Sequence, residues 1–79
     1  MSHSLVLYHF DSCPFCAKVR HFMDENHLKI EMKDIQKKPS DRETLKKLGG
    51  KTQVPCLVID GTALYESTDI ITWLKENAL

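Results

Sequence analysis

The stretch Leu5-Val6-Leu7-Tyr8-His9-Phe10-Asp11-Ser12-Cys13-Pro14-Phe15-Cys16 reads as a strand running straight into a helix. Leu5 to Phe10 is short and nearly continuously apolar, the pattern of a strand covered on both faces near the middle of a sheet. Pro14 suits a first helical position, because its φ is preset and its missing N–H costs no hydrogen bond there. That puts Cys13 at the helix N-cap and Cys16 one turn in. Phe15, Val19, Phe22 and Met23 follow at helical spacing, so the helix is expected to reach about Asn26.

Outward from this junction the elements continue in alternation. Leu28 to Lys33 alternates apolar and charged residues, a half-exposed strand with Leu28, Ile30 and Met32 inward. Ser40-Asp41-Arg42-Glu43 matches a capping box, so a second helix is expected from Ser40, with Leu45 and Leu48 as its apolar stripe. Gly49-Gly50 stops it. Pro55 to Ile59 is a third strand. Asp60-Gly61 is a hairpin signal, and Thr62 to Tyr65 returns antiparallel. Ser67 caps a last helix that buries Ile70, Ile71, Trp73, Leu74 and Ala78. The order is β-α-β-α-β-β-α. A right-handed, parallel βαβ unit followed by the hairpin gives an α/β fold: a four-stranded mixed sheet flanked by three helices.

Seventy-nine residues make a single domain, 1–79, near the lower size limit for an independent core. The chain is 42% apolar and 28% charged, which excludes a disordered tail or a collagen-like repeat. No apolar run could span a bilayer and no secretory signal is visible, so no membrane partner is expected. Net charge is zero, which argues against nucleic acid as a partner. The segment from Lys29 to Lys51 nevertheless carries eight basic and four acidic residues, a net of +4. A solvated helix and loop account for it, or a positive rim that attracts a small anion. Three cysteines are too few and too odd a number for a secreted disulfide scaffold. A reducing, cytoplasmic setting is expected.

Cys13-Pro14-Phe15-Cys16 carries the chemistry. Thiol–disulfide exchange needs a thiolate. The free amides and partial positive charge of a helix N-terminus supply the stabilisation, lowering thiol pKa values to roughly 3.5–7.5 in such settings. The amides of Phe15 and Cys16 are placed to point at the Cys13 sulfur. Cys13 is therefore the attacking nucleophile, exposed at the helix terminus, and Cys16 the more deeply placed resolving thiol. Half of a zinc site is the competing reading, weakened by the absence of a second ligand pair. Two buried core cysteines are another. Val54-Pro55 opens a strand and is either an ordinary edge proline or a substrate-pairing element. Glu66-Ser67-Thr68-Asp69 is either plain helix capping or an anion site with a neighbouring acid for an ammonium. Cys56 reads as a small buried hydrophobe, with an oxidisable third thiol as the alternative.

Together, Cys-Pro-Phe-Cys after the first strand, Val54-Pro55 opening the third, and an acidic/hydroxyl stretch opening the last helix resemble a glutaredoxin of the thioredoxin fold. Val54-Pro55-Cys56-Leu57 and Glu66-Ser67 also resemble the N-terminal domain of glutathione transferases. The resemblance implies a thioredoxin-like fold, a cis Val54–Pro55 bond, and glutathione as reductant and co-substrate, with no metal. It implies a redox-active disulfide between Cys13 and Cys16, with disulfide-bearing or glutathionylated proteins as partners of a monomer. The Val54 backbone beside Pro55 would pair with the cysteinyl part of glutathione. Ser67, Thr68 and Glu66 or Asp69 would hold its γ-glutamyl group, with Phe15 and Gln53 alongside. The chain departs from the glutaredoxin pattern in four places. Phe10 stands where a lysine is common, Phe15 replaces a tyrosine, Gln53 replaces a threonine, and Tyr65-Glu66 replaces Gly-Gly. Lys51 is the substitute expected to meet the glycyl carboxylate, while Lys18 and Arg20 read as solvated.

The leading function is thus a glutathione-dependent thiol–disulfide oxidoreductase. The alternatives are an iron–sulfur cluster held by Cys13 and glutathione across a dimer, and a glutathione transferase. The transferase reading is set aside because 79 residues leave none for a second, helical domain.

Overall fold

The structure, a computed structural model, describes residues 3–79, so the first two residues of the expected domain lie outside the described residues. The elements are β1 (Leu5–His9), α1 (Pro14–Glu25), β2 (Glu31–Asp34), α2 (Pro39–Gly49), β3 (Cys56–Ile59), β4 (Thr62–Tyr65) and α3 (Ser67–Asn77). The sheet runs β2-β1-β3-β4. β1 pairs parallel with β2 and antiparallel with β3, and β3 pairs antiparallel with β4. The two strands with the most continuous apolar character, β1 and β3, are therefore the central ones.

Register sorts their side chains into two cores. Leu7 faces Leu57, and Leu57 faces Leu64. Leu7 and Leu57 join Val19 and Met23 of α1 and Ile70 and Leu74 of α3 in one cluster. Tyr8, Cys56 and Val58 point the other way, onto Ile35 and Leu45 of the α2 side. A fully buried Leu in such a cluster contributes about 2–5 kcal/mol relative to Ala. Both clusters hold β1 and β3 in place, and the loops at the ends of these strands carry Cys13 and Val54–Pro55.

Several local expectations are corrected. β2 begins at Glu31, not Leu28, because β1 offers partners only from Val6 to His9. Leu28 and Ile30 instead pack on the first core as a lead-in. Met32 is 47% exposed rather than inward, because it sits on an edge strand beyond both clusters. Leu48 is likewise exposed, leaving Leu45 as the buried residue of α2. The Ser40 capping box does not form. Pro39 takes the first helical position, Lys38 is the N-cap without a side-chain hydrogen bond, and Ser40 falls inside the first turn. The preference that places Pro14 at the start of α1 applies equally to Pro39. At the other end of α2, Gly50 takes the left-handed cap at φ 82° and donates to the Lys46 carbonyl. Asp60 and Gly61, at φ 49° and 87°, form the tight turn between β3 and β4.

Candidate functional site

Cys13 is the N-cap of α1, and the Cys16 amide donates to its Sγ at 3.2 Å. The Cys13 amide in turn donates to the Phe10 carbonyl at 3.2 Å. A sulfur held by a helix-terminal amide is placed where negative charge is favoured. Only the Cys16 amide makes this contact, not that of Phe15 as well. All three cysteines are free thiols.

The expected exposure of Cys13 is corrected. Cys13 is 5% exposed and Cys16 fully buried, so the order holds but the nucleophile is sheltered. The reason is the cap itself: the side chain folds back over the first turn to reach the Cys16 amide, rather than extending into solvent. Burial pushes the Cys16 thiol up to about 12, with the hydrogen bond to Cys13 adding to it, so Cys16 stays protonated at neutral pH. Burial likewise pushes the Cys56 thiol up to about 11 within the second core. That environment suits the small-hydrophobe reading of Cys56.

Beside α1, a cleft of about 340 Å³ is lined by Phe15, Gln53, Val54, Pro55, Glu66, Ser67 and Thr68. Three separate parts of the chain meet here: the first turn of α1, the loop before β3, and the start of α3. Phe15 is 64% exposed and lies over the cleft, not in the core stripe its spacing suggested. The Val54–Pro55 bond is cis. Val54 makes no main-chain hydrogen bond among the described residues. Gln53 Nε2 donates to Glu66 Oε1 at 3.0 Å and ties two walls of the cleft together.

The α3 terminus also differs from expectation. Ser67 is its first residue and the N-cap is Glu66, which makes no side-chain capping bond. Glu66 sits at φ 73°, a left-handed conformation that costs a non-glycine residue energy. Asp69 is in the first turn but is exposed and does not line the cleft. Lys51 also lies outside it, its ammonium 4.4 Å from the centre of the Tyr65 ring.

Arg20 was missed. Rather than being solvated, it is partly buried and makes three contacts with the chain before Cys13. Its spacing from Cys13 and Cys16, seven and four residues, places all three on one helix face and was the available signal. Nearby, His9, Asp11 and Asp34 bring metal-ligand atoms within 4.8 Å of one another. Arg20 lies on His9 and Lys37 on Asp11, so two cations already adjoin that group.

Residues 7–78 match the family described as the glutathione S-transferase N-terminal domain. Prostaglandin E synthase 2 of Danio rerio is 39% identical over 72 residues, covering 90% of this chain and 18% of that protein. Glutaredoxin 1 of Rickettsia typhi is 30% identical over 79 residues, covering 98% of this chain and 76% of that one. Among solved structures, glutaredoxin 2 of Salmonella typhimurium in complex with glutathione matches at a TM-score of 0.77 and 31% identity, over 98% of this chain and 34% of its own. The chain thus spans a small part of the synthase, about a third of the Salmonella protein and most of the Rickettsia one. The sheet order and helix placement are those of a thioredoxin-like fold. No helix among the described residues is long and apolar enough to cross a membrane.

Proposed function

Because this chain belongs to the thioredoxin-fold family that joins glutaredoxins to glutathione S-transferase N-terminal domains, we propose that it is a glutathione-dependent thiol–disulfide oxidoreductase. The observation that carries the reading is the Cys13 sulfur at the N-cap of α1, accepting the Cys16 amide at the start of the helix whose Phe15 lines an open cleft. The glutathione bound in the Salmonella relative supports the choice of thiol.

The Cys13 thiolate attacks a glutathione mixed disulfide. A Cys13–glutathione disulfide forms, and the partner protein leaves as a thiolate that takes a proton from solvent. A second glutathione thiolate then attacks the glutathione sulfur, restoring Cys13 and releasing oxidised glutathione. On a protein disulfide, Cys13 forms the mixed disulfide. Cys16 loses its proton and attacks the Cys13 sulfur. The protein leaves as a dithiol, and two glutathiones reduce the Cys13–Cys16 disulfide. Two electrons pass in each case. Burial holds the Cys16 thiol protonated, which favours Cys13 for the first attack.

Glutathione lies in the cleft with its cysteinyl part on the main chain of Val54. Its γ-glutamyl carboxylate lies at the amides of Ser67 and Thr68, which no side chain caps. The Glu66 carboxylate takes the ammonium, with Gln53 steadying it. Phe15 covers the ligand. Asp69, outside the cleft, acts through the helix terminus at most, and Lys51 reaches the glycyl carboxylate only by leaving the Tyr65 ring. Glutathionylated or disulfide-bearing proteins are the partners.

The test is glutathione-coupled reduction of a small mixed disulfide by the wild type, Cys13→Ser and Cys16→Ser. Cys16→Ser is expected to keep most of the rate and Cys13→Ser none. Equal losses in both variants would remove the monothiol route, and an inactive wild type would remove the function. A second reading, the glutathione-holding part of a transferase-like protein, draws on the family match over residues 7–78. Conjugation of glutathione to an electrophilic aromatic, retained in Cys16→Ser, would favour it.

A further inference from the structure

The segment that precedes Cys13 is held from the helix that Cys13 caps. Arg20 Nη1 lies 3.0 Å from His9 Nδ1 and donates to the Phe10 carbonyl at 3.4 Å. Its Nη2 donates to the Asp11 carbonyl at 3.2 Å. The Phe10 carbonyl also receives the Cys13 amide. One guanidinium therefore fixes the end of β1, the acceptor of the Cys13 N–H, and the next peptide. We propose that Arg20 is a positioning residue for Cys13, holding residues 9–11 against α1 so that the sulfur stays on the Cys16 amide. The inference rests on Cys13 being the attacking thiol and names the group that sets its geometry.

The side-chain chemistry fits this role. Arginine only donates, and its planar fork reaches several acceptors at once. A lysine ammonium at the same point cannot span a ring nitrogen and two carbonyls. Because Arg20 donates to it, His9 Nδ1 is an acceptor, which leaves the ring neutral with its proton on Nε2. His9 is buried, and its pKa is held below the ordinary histidine value, first by burial and then by Arg20. The other charges facing it are Asp34 at the end of β2, Asp11 in the β1–α1 loop, and Lys37 in the β2–α2 loop. Acid that protonates Nδ1 removes the acceptor and sets two cations against each other. The loop then loses one of its three ties.

The experiment reads Cys13 without glutathione. Alkylation by iodoacetamide is followed in the full chain carrying Cys16→Ser and Cys56→Ser, at pH 7.5 and 5.5, with Arg20→Gln, Arg20→Lys and His9→Asn added singly. Circular dichroism checks folding. Glutathione-coupled turnover of the same Arg20 and His9 variants, with all cysteines present, separates kcat from KM. Arg20→Gln is expected to slow Cys13 alkylation and kcat about tenfold, with KM for glutathione nearly unchanged, since misplacing a reacting group is costly. Arg20→Lys falls between. Asparagine can present an uncharged oxygen acceptor near the Nδ1 position. His9→Asn should keep the pH 7.5 rate and show a smaller fall at pH 5.5 than the parent. A folded Arg20→Gln that alkylates at the parent rate overturns the proposal. Should Arg20→Gln not fold, a His9→Asn profile identical to the parent's overturns it instead. If the wild type fails to turn over glutathione but these alkylation differences appear, the proposed function falls and the role of Arg20 stands.

Discussion

The two helix N-termini at the cleft are finished in opposite ways. α1 is capped by the chain's own sulfur, with the Cys16 amide on Cys13 Sγ. α3 has no side-chain cap, and its N-cap residue, Glu66, is held in a left-handed conformation. Both helices carry the same partial positive charge at this end. At α1 that field acts on the Cys13 sulfur; at α3 no side chain meets it. α2 is a third case, also without a side-chain cap at Lys38 but away from the cleft. Of the two uncapped termini, only that of α3 adjoins the cleft.

The largest expected effect separates cap from nucleophile. Serine caps helices well, so Cys13→Ser should keep the thermal midpoint near wild type while disulfide reduction falls to background. Cys13→Ala should lose both, at about 1 kcal/mol of stability. A calorimetric scan run beside the activity assay checks this, and a large stability loss in Cys13→Ser would break the comparison.

Next comes Glu66→Gly. Glycine relieves the left-handed backbone and should raise stability by about 1 kcal/mol. Loss of the carboxylate should weaken glutathione binding about tenfold, since hydrogen bonds to charged groups contribute roughly 1.5–3 kcal/mol. Isothermal titration calorimetry and urea unfolding read the two separately. Unchanged affinity would show that α3 is merely uncapped.

Lys38→Asp should add about 1 kcal/mol by capping α2, with glutathione-coupled activity unchanged. Altered activity would mean that the α2 terminus is not remote from the chemistry.

The smallest effect is in pH. The lowered pKa of His9 means that the unfolded chain takes up its proton first. The contribution of His9 is full above the ordinary histidine value, about 6.5, and lost as pH falls through the lower folded value. Asp60, held below the usual carboxylate range by His3 and the Ser4 amide, loses its contribution only in stronger acid. Urea midpoints between pH 7.5 and 5 should therefore fall, and fall less in His9→Asn.

Much of this was legible in the chain. The strand-to-helix junction at Cys13-Pro14 needed only the backbone limits of proline and the length of an apolar run. The same proline rule at Pro39 places the α2 N-cap at Lys38, two residues before the Ser40 that the capping-box pattern favours. The cleft was legible only as three separate motifs. The contacts of Arg20 are not legible, because helical spacing says which residues share a face, not what that face meets.

The sequence by itself determined the order of elements, the two central strands and the cysteine at a helix start. These follow from local backbone preference and from the period of apolar residues. Only the tertiary structure decided that the Cys13 sulfur folds inward, that Glu66 turns left-handed, and that Arg20 reaches residues 9–11. It also decided why position 49 is glycine: a Cβ there would run into the phenol of Tyr65, which donates to the Lys51 carbonyl. Each of these depends on atoms distant along the chain occupying one place, and a periodicity carries no information about that.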